Sequence, residues 1–165
     1  MRVKKVLFIE PPPLLNWTID SKISKAGRRH PCLNETGEQT YSYQNLSCAA
    51  VLRDNGYDVR YFHCPTMRYD LTITKNKILE YAPFALVIMV EHINASVARA
   101  ISSFAKEHGI VVIWTGPFVT ALHKDEISDP SVDYILRKEW DYSVRDLCTA
   151  LIDKTDLSVI DGLTW

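Results

Sequence analysis

The stretch Ile110-Val-Val-Ile-Trp114, followed directly by Thr115-Gly-Pro-Phe118, decides the fold of this chain. A short, wholly apolar run rich in β-branched residues predicts a strand that is buried on both faces. The Gly-Pro pair then predicts a tight turn with a helix beyond it. Similar breaks follow Ile9 and Val90. Because ligands of open α/β sheets lie beyond the carboxyl ends of the strands, the three breaks predict one ligand-binding edge.

Strands and helices alternate along the rest of the chain. Apolar or alternating runs predict strands over residues 3–9, 57–62, 84–90, 110–114 and 132–136. Apolar residues at helical spacing predict helices over residues 43–55, 70–81, 97–108, 119–128 and 144–151. This alternation predicts an α/β fold with five parallel strands and helices on both faces of the sheet. The pattern alone leaves the order of the strands open.

Size, charge and cysteine content narrow the class of protein. A chain of 165 residues suits one domain with one core. The net charge of −1 gives no general attraction to nucleic acid or to a membrane surface, so we expect neither as a partner. No apolar run has the length of a signal peptide or a membrane span, and we expect a cytoplasmic protein. The four cysteines include no CxxC pair, which argues against a zinc ribbon.

A long connection, residues 14–40, separates the first predicted strand from the first predicted helix. It contains the basic residues Lys22, Lys25, Arg28, Arg29 and His30. These residues could cover a cofactor, or meet the acidic face of a partner or the carboxylate of S-adenosylmethionine. A solvated loop is the simpler interpretation of the charges, although it does not account for Trp17.

Four segments of the sequence indicate a particular protein family. They are residues 49–59 (AAVLRDNGYDV), 115–118 (TGPF), 131–135 (SVDYI) and 160–163 (IDGL), in this order and at these separations. They resemble the N-terminal cobalamin-binding domain of cobalamin-dependent radical S-adenosylmethionine enzymes. There the corresponding text runs LAAVLRxxGY(D/E)V, GGPHxTxxPE, VDYVVRGEGE and xxGL. The resemblance implies a flavodoxin-like (Rossmann-like) sheet with strand order 2-1-3-4-5, and one cobalamin-binding domain over residues 1–165.

The resemblance also implies the position of the cofactor. Cobalamin would lie over the carboxyl ends of the strands, with its nucleotide tail directed toward the sheet. The residues implied to bind it are Pro11, Pro12, Glu91, His92, Asn94, Thr115, Gly116, Pro117, Phe118, Lys138 and Glu139. A glycine lets backbone amides approach ligand oxygens closely, which is the reason expected for Gly116. The DxHxxG motif that supplies an axial histidine is absent, and His92 is the candidate cobalt ligand by position.

The chain departs from the family pattern at the turns themselves. Thr115 stands at the first glycine of GGPH and Phe118 at its histidine, while GEGE is replaced by Lys138-Glu-Trp-Asp141. Each change crowds the place of the nucleotide tail. Either Thr115 and Lys138 supply a hydroxyl and a cation in place of glycine amides, or the site has lost cobalamin. Trp140 is expected to be a core or edge aromatic residue rather than a group that stacks on the cofactor.

The resemblance implies a module that presents cobalamin to a radical S-adenosylmethionine domain or subunit, for methyl transfer or related radical chemistry. The CxxxCxxC motif for a [4Fe–4S] cluster is absent, so the partner would hold the cluster and S-adenosylmethionine, and this chain would not be active alone. Residues 156–165 are expected to be a tail that leads to such a barrel.

Two other functions remain open. One is a degenerate domain of the same type that acts as a protein-interaction scaffold without cofactor. The other is a receiver-like signalling domain, which would use Glu10, Glu91, Thr115 and Lys138 at the strand ends. In that alternative a glutamate, Glu91, occupies the place of the phosphorylated aspartate.

Overall fold

The computed structural model describes residues 4–16 and 43–165. Six strands form one sheet in these residues: β1 (Lys5–Glu10), β2 (Asp58–His63), β3 (Ala85–Met89), β4 (Val111–Thr115), β5 (Tyr134–Leu136) and β6 (Leu163–Thr164). Their order is β2-β1-β3-β4-β5-β6. The first five strands pair in parallel, in the predicted order 2-1-3-4-5, and β6 is antiparallel to β5.

Helices connect the parallel strands. They are α1 (Tyr43–Asp54), α2 (Cys64–Met67), α3 (Leu71–Tyr81), α4 (Ala95–Glu107), α5 (Pro117–Glu126) and α6 (Asp141–Asp153), with a 3-10 turn at His92–Asn94. The sequence pattern did not predict α2 or the 3-10 turn, because one turn of helix is too short for a periodic signal. Asp70 is the N-cap of α3, as the sequence predicts. Its side chain accepts a hydrogen bond from the Ile73 N–H at 2.8 Å.

The strand side chains divide the interior into two cores. On one face Leu86, Ile88 and Trp114 pack against α3 and α4. On the other face Phe8 and Val87 pack against α1 and α6. We call the second side the α1/α6 face. Both faces of β3 are fully buried, as its continuous apolar run predicts.

The sixth strand corrects the expectation of a five-stranded sheet. Leu163 and Thr164 pair with Leu136 and Ile135 of β5, and the Arg137 N–H donates to the Gly162 carbonyl at 3.1 Å. This strand lies within residues 156–165, for which a tail that leads to a barrel stays a prediction. A strand of two residues has no alternation to detect, so its sequence gave no sign of it.

The expected loop, residues 14–40, and its basic cluster lie almost entirely outside the described residues. Leu14 and Leu15, which follow the buried Pro11 and Pro12, are described and exposed. In the described part of the chain, no helix combines the length and apolar character needed to cross a membrane.

Gly162 holds β6 in place, and its replacement tests this role. It has a φ of +74°, and a Cβ built on it would lie 2.9 Å from the Arg137 carbonyl oxygen. Gly56 is a matched control, because it has a φ of +83° but no atom within 4 Å of such a Cβ. We expect Gly162→Ala to lower the free energy of unfolding by about 1 kcal/mol more than Gly56→Ala, since only the first adds a steric contact to the backbone strain. Urea unfolding of both variants measures the difference. Equal losses would show that the contact relaxes freely.

Candidate functional site

The candidate site lies at the carboxyl ends of the parallel strands. β1 and β3 are neighbours there, with Ile9 opposite Ile88. β2, which follows β1 in sequence, lies on one side of this pair, whereas β4, which follows β3, lies on the other side. The strand order therefore reverses between β1 and β3. Crevices at such reversals are the usual binding places of open α/β sheets. The turns after β1 and β3 border this crevice, and the turns after β4 and β5 follow along the same edge of the sheet.

A buried polar cluster forms the floor of the edge beside α1. Glu10 is 1% exposed and accepts hydrogen bonds from the Asn45 amide at 3.2 Å and from the Tyr61 hydroxyl. His63 Nε2 lies 3.4 Å from its second carboxylate oxygen. The Thr66 N–H donates to His63 Nδ1 at 3.1 Å, which places the proton of a neutral ring on Nε2, facing Glu10. The cluster fixes the end of β1 against β2 and α1.

The turn after β3 is held by its own side chains. Asn94 is 1% exposed; its Oδ1 accepts from the Glu91 N–H at 2.8 Å, and its amide donates to the Met89 carbonyl at 3.3 Å. Asn94 therefore shapes the turn. His92 is exposed and makes an edge-to-face contact with Phe118, with ring centroids 6.1 Å apart. This contact brings the turns after β3 and β4 together.

The turn after β4 is closed by backbone packing. The Thr115 side chain is fully buried, and its hydroxyl lies 3.5 Å from the Ile88 carbonyl oxygen. A Cβ on Gly116 would lie 2.6 Å from the Val90 carbonyl oxygen, at a φ of +111°. Gly116 is thus required by the approach of two protein segments, independently of any ligand. Pro117 is exposed and Phe118 half-buried.

The turn after β5 contains the features that sequence reasoning missed. Lys138 and Glu139 are exposed, and Lys138 has a left-handed φ of 63° at the position where the family pattern has glycine. Trp140 is only 6% exposed. Its indole Nε1 is buried and has no hydrogen-bond partner among the described residues, and the same holds for Asp141 Oδ1. Unpartnered buried polar atoms of this kind are rare in folded proteins.

Helix α1 lies directly against this turn. The Cys48 thiol contacts the carbonyl oxygens of Trp140 and Asp141, each at 3.7 Å. Burial, with a smaller contribution from the Asp141 charge, raises the pKa of the Cys48 thiol, and burial alone raises the pKa of Cys148 to about 12. Both thiols are therefore protonated at neutral pH and unsuited to bind a metal. Within residues 4–16 and 43–165, no group of three or more His, Cys, Asp or Glu side chains could hold a metal ion.

The structure also contains a groove of about 550 Å³ at the opposite edge of the sheet. Pro83 and Phe84 line it at the start of β3, and Gly109 and Ile110 line it at the start of β4. It does not contact any residue of the candidate site.

A comparison with solved structures finds proteins that contain a similar fold. The cobalamin-dependent S-adenosylmethionine radical enzyme OxsB, with aqua-cobalamin and S-adenosylmethionine bound, matches 99% of this chain with a TM-score of 0.76 and 14% identity. This chain shares its fold with part of cobalamin-dependent radical S-adenosylmethionine enzymes. The radical S-adenosylmethionine methyltransferase TsrM from Kitasatospora setae, with cobalamin and a [4Fe-4S] cluster bound, matches 98% of the chain with a TM-score of 0.67 and 16% identity.

The match is local in those larger proteins. The chain spans 21% of the OxsB chain and 27% of the TsrM chain. At the level of the fold, it confirms the resemblance found in the four sequence segments. No family model and no curated protein sequence matches the chain.

The turn after β5 leaves more polar atoms unused than the turn after β4 does. Thr115 is fully buried and Gly116 is packed against Val90, so the turn after β4 is crowded, as the change from glycine to Thr115 predicts. Trp140 and Asp141, in contrast, offer an unused donor and an unused acceptor at the start of α6. Cobalamin is rich in amide and hydroxyl groups, which can satisfy both atoms.

Replacement of Gly116 tests whether this glycine serves the fold. We expect Gly116→Ala to lower the free energy of unfolding by about 2 kcal/mol or more, because the added Cβ meets backbone that cannot rotate away. Gly109→Ala is the control: its φ of +68° gives only the milder strain of the left-handed helical region, and nothing lies within 4 Å of the added atom. Thermal or urea unfolding without ligand measures both. A loss for Gly116→Ala no larger than for the control would contradict the packing role.

Lys138 allows the strain at the turn after β5 to be measured. A left-handed φ is unfavourable for lysine and tolerated by glycine, so we expect Lys138→Gly to raise the free energy of unfolding by about 0.5–1 kcal/mol. Lys154 has a φ of 57° at the end of α6, and Lys154→Gly should give a similar gain. Chemical denaturation measures both variants. A loss of stability confined to Lys138→Gly would show that its side chain makes a stabilising contact that outweighs the strain.

Proposed function

We propose that this chain is a cobalamin-binding module, which presents the corrinoid at the carboxyl edge of its sheet to a radical S-adenosylmethionine domain or subunit. The observation that carries the proposal is the fold likeness over 97–99% of the chain to two different cobalamin-dependent radical enzymes. The four segments that resemble the family lie on α1 and β2, at the turn from β4 to α5, at β5 and at the start of β6. The unpartnered atoms at the start of α6 add a chemical reason for a ligand at this edge.

The residues at the carboxyl edge would have two roles in binding the cofactor: some would contact it, and others would support the turns. His92, Pro117, Lys138 and Glu139 are exposed and would meet the ligand directly, while Asn94, Thr115 and Gly116 would keep the turns in shape. Pro11, Pro12 and Glu91 are buried at the strand ends and would support the floor. No described residue hydrogen-bonds the His92 imidazole, and its contact with Phe118 orients the ring, so His92 stays the candidate for a cobalt ligand.

A partner would supply the rest of the chemistry. When bound, cobalamin would serve methyl transfer or related radical chemistry, and the protein would position it and exclude water. OxsB and TsrM contain several times more chain than the segment matched here. By analogy with them, a radical S-adenosylmethionine domain would hold the [4Fe–4S] cluster and S-adenosylmethionine and select the substrate. The described cysteines, which are buried and protonated, are not placed to bind a cluster.

A scaffold without cofactor is the second candidate, and two observations favour it. Thr115 and Trp140 fill space near the strand ends with buried side chains, where the family pattern has glycines. A domain filled in this way could keep its fold and its partner while losing the ligand. A receiver-like function gains no support, because a Thr115 hydroxyl that is fully buried is not available to a phosphoryl group.

Retention of cobalamin decides between the module and the scaffold. The purified chain is mixed with hydroxocobalamin and desalted, and the corrin absorbance of the protein fraction is recorded. We expect stoichiometric retention and a rise in the melting temperature, because a ligand that binds only the folded state stabilises it by about 2.7 kcal/mol at a hundred times its Kd. Colourless protein with an unchanged melting temperature would contradict the proposal and favour the scaffold.

A pair of histidine variants tests the cobalt ligand in the same assay. His92→Ala should shift the visible absorbance of the bound corrinoid if the imidazole binds cobalt. His108→Ala is the control, because His108 is also exposed but lies at the end of α4, with its ring against Phe104. Identical spectra for both variants would exclude His92 as a ligand without affecting the proposal of binding.

A further inference from the structure

Two buried polar atoms at the start of α6 have no hydrogen-bond partner among the described residues, and this absence calls for an explanation. Trp114 shows how this protein normally treats a buried indole: its Nε1 donates to the Ser102 hydroxyl at 2.8 Å. Trp140 Nε1 is buried in the same way and has no partner in the described part of the chain. Leaving such a donor unsatisfied costs stability, and so does an unsatisfied carboxylate oxygen such as Asp141 Oδ1. A bound ligand would remove both costs.

The charge at this place restricts the chemistry of the ligand. Trp140 precedes the first turn of α6 and makes no side-chain cap, although its carbonyl accepts from the Val144 N–H at 2.9 Å. Helix starts attract anions. Here, however, Asp141 already places a carboxylate in the first turn, and a phosphate would meet its negative charge. A neutral group avoids this repulsion.

We propose that Trp140 Nε1 and Asp141 Oδ1 together bind a neutral ligand group that both accepts and donates a hydrogen bond, a hydroxyl or a primary carboxamide. The inference rests on the proposed function and deepens it. The indole N–H donates to the oxygen of the group, and the carboxylate accepts from its O–H or N–H. Cobalamin has two sources of this chemistry: the ribose hydroxyl of its nucleotide tail and the amide side chains of its corrin ring.

Both atoms are shielded from solvent, so the turn after β5 has to open before a ligand group reaches them. The Cys48 thiol of α1 makes long, weak hydrogen bonds to the carbonyls of Trp140 and Asp141. Cys48, Trp140 and Val144 also share one apolar core, so the opening costs packing energy that the two new hydrogen bonds offset.

Two substitutions test the pair by their effect on the Kd for hydroxocobalamin, measured by absorbance titration. Trp140→Phe keeps an aromatic ring and removes the N–H, and we expect it to weaken binding about tenfold. Asp141→Ala should also weaken binding about tenfold, because the ligand donor loses its acceptor. Asp141→Asn keeps an acceptor oxygen and should restore most of the affinity. Circular dichroism and thermal unfolding establish that each variant is folded.

Trp114→Phe is the matched control. It removes a satisfied indole N–H from the opposite core, and it should lower the melting temperature while leaving the Kd unchanged. Trp140→Phe removes the same ring volume from a buried site but no hydrogen bond, so it should lower the melting temperature less than Trp114→Phe does, while it alone raises the Kd. A merely structural role of Trp140 would not raise the Kd.

The outcomes separate this inference from the proposed function. Failure of the parent chain to bind hydroxocobalamin overturns both, whereas normal binding with unchanged Kd values for Trp140→Phe and Asp141→Ala overturns the inference alone. Tighter binding by Asp141→Ala also overturns it, because that result identifies a phosphate at the site. Cobinamide, which lacks the nucleotide tail, identifies the source: a loss confined to hydroxocobalamin indicates the ribose hydroxyl, and an equal loss for both ligands indicates a corrin amide.

Discussion

The contact between Gly116 and the backbone of Val90 determines the shape of the carboxyl edge. The Val90 N–H donates to the Thr115 carbonyl at 2.8 Å, which extends the pairing of β3 and β4 one residue beyond the strand. The chain then turns so closely over Val90 that a side chain at position 116 has no room. α5 begins at Pro117 directly after this turn, and its Val119 packs into the core on the α3 and α4 side of the sheet. The close turn also brings Phe118 to His92, so the two central turns form one rim of the crevice.

The two faces of the sheet have different characters at this edge. Beside α3 and α4, apolar side chains continue to the last residues of the strands. The α1/α6 face instead ends in polar groups: Glu10 with its hydrogen-bonding neighbours over β1, and Trp140 with Asp141 over β5. Buried polar groups cost free energy unless they are satisfied, and a fold retains them at one end of a core where they have a use. The location of the polar ends therefore agrees with a ligand that enters on the α1/α6 face.

Most of the fold was predictable from the sequence, because long apolar runs and helical spacing report burial directly. The five parallel strands and their helices follow from such runs, with bounds that shift by one to three residues in most cases. β6 was missed since Leu163–Thr164 is too short to show a pattern. At the site, sequence comparison could identify the turns but not their contacts. The role of Gly116 depends on a segment 26 residues away, and the unpartnered Trp140 Nε1 can be recognised only when its surroundings are known.

The pairing of β6 with β5 has a consequence for the behaviour of the chain in concentrated solution. A parallel sheet that stopped at β5 would offer its unsatisfied N–H and C=O groups to the strands of other molecules. β6 covers part of that border with an antiparallel strand, and at the far border of the described sheet the exposed Asp58 and Arg60 place charges along β2. Both borders are thus protected against edge-to-edge aggregation, one by a covering strand and the other by charge.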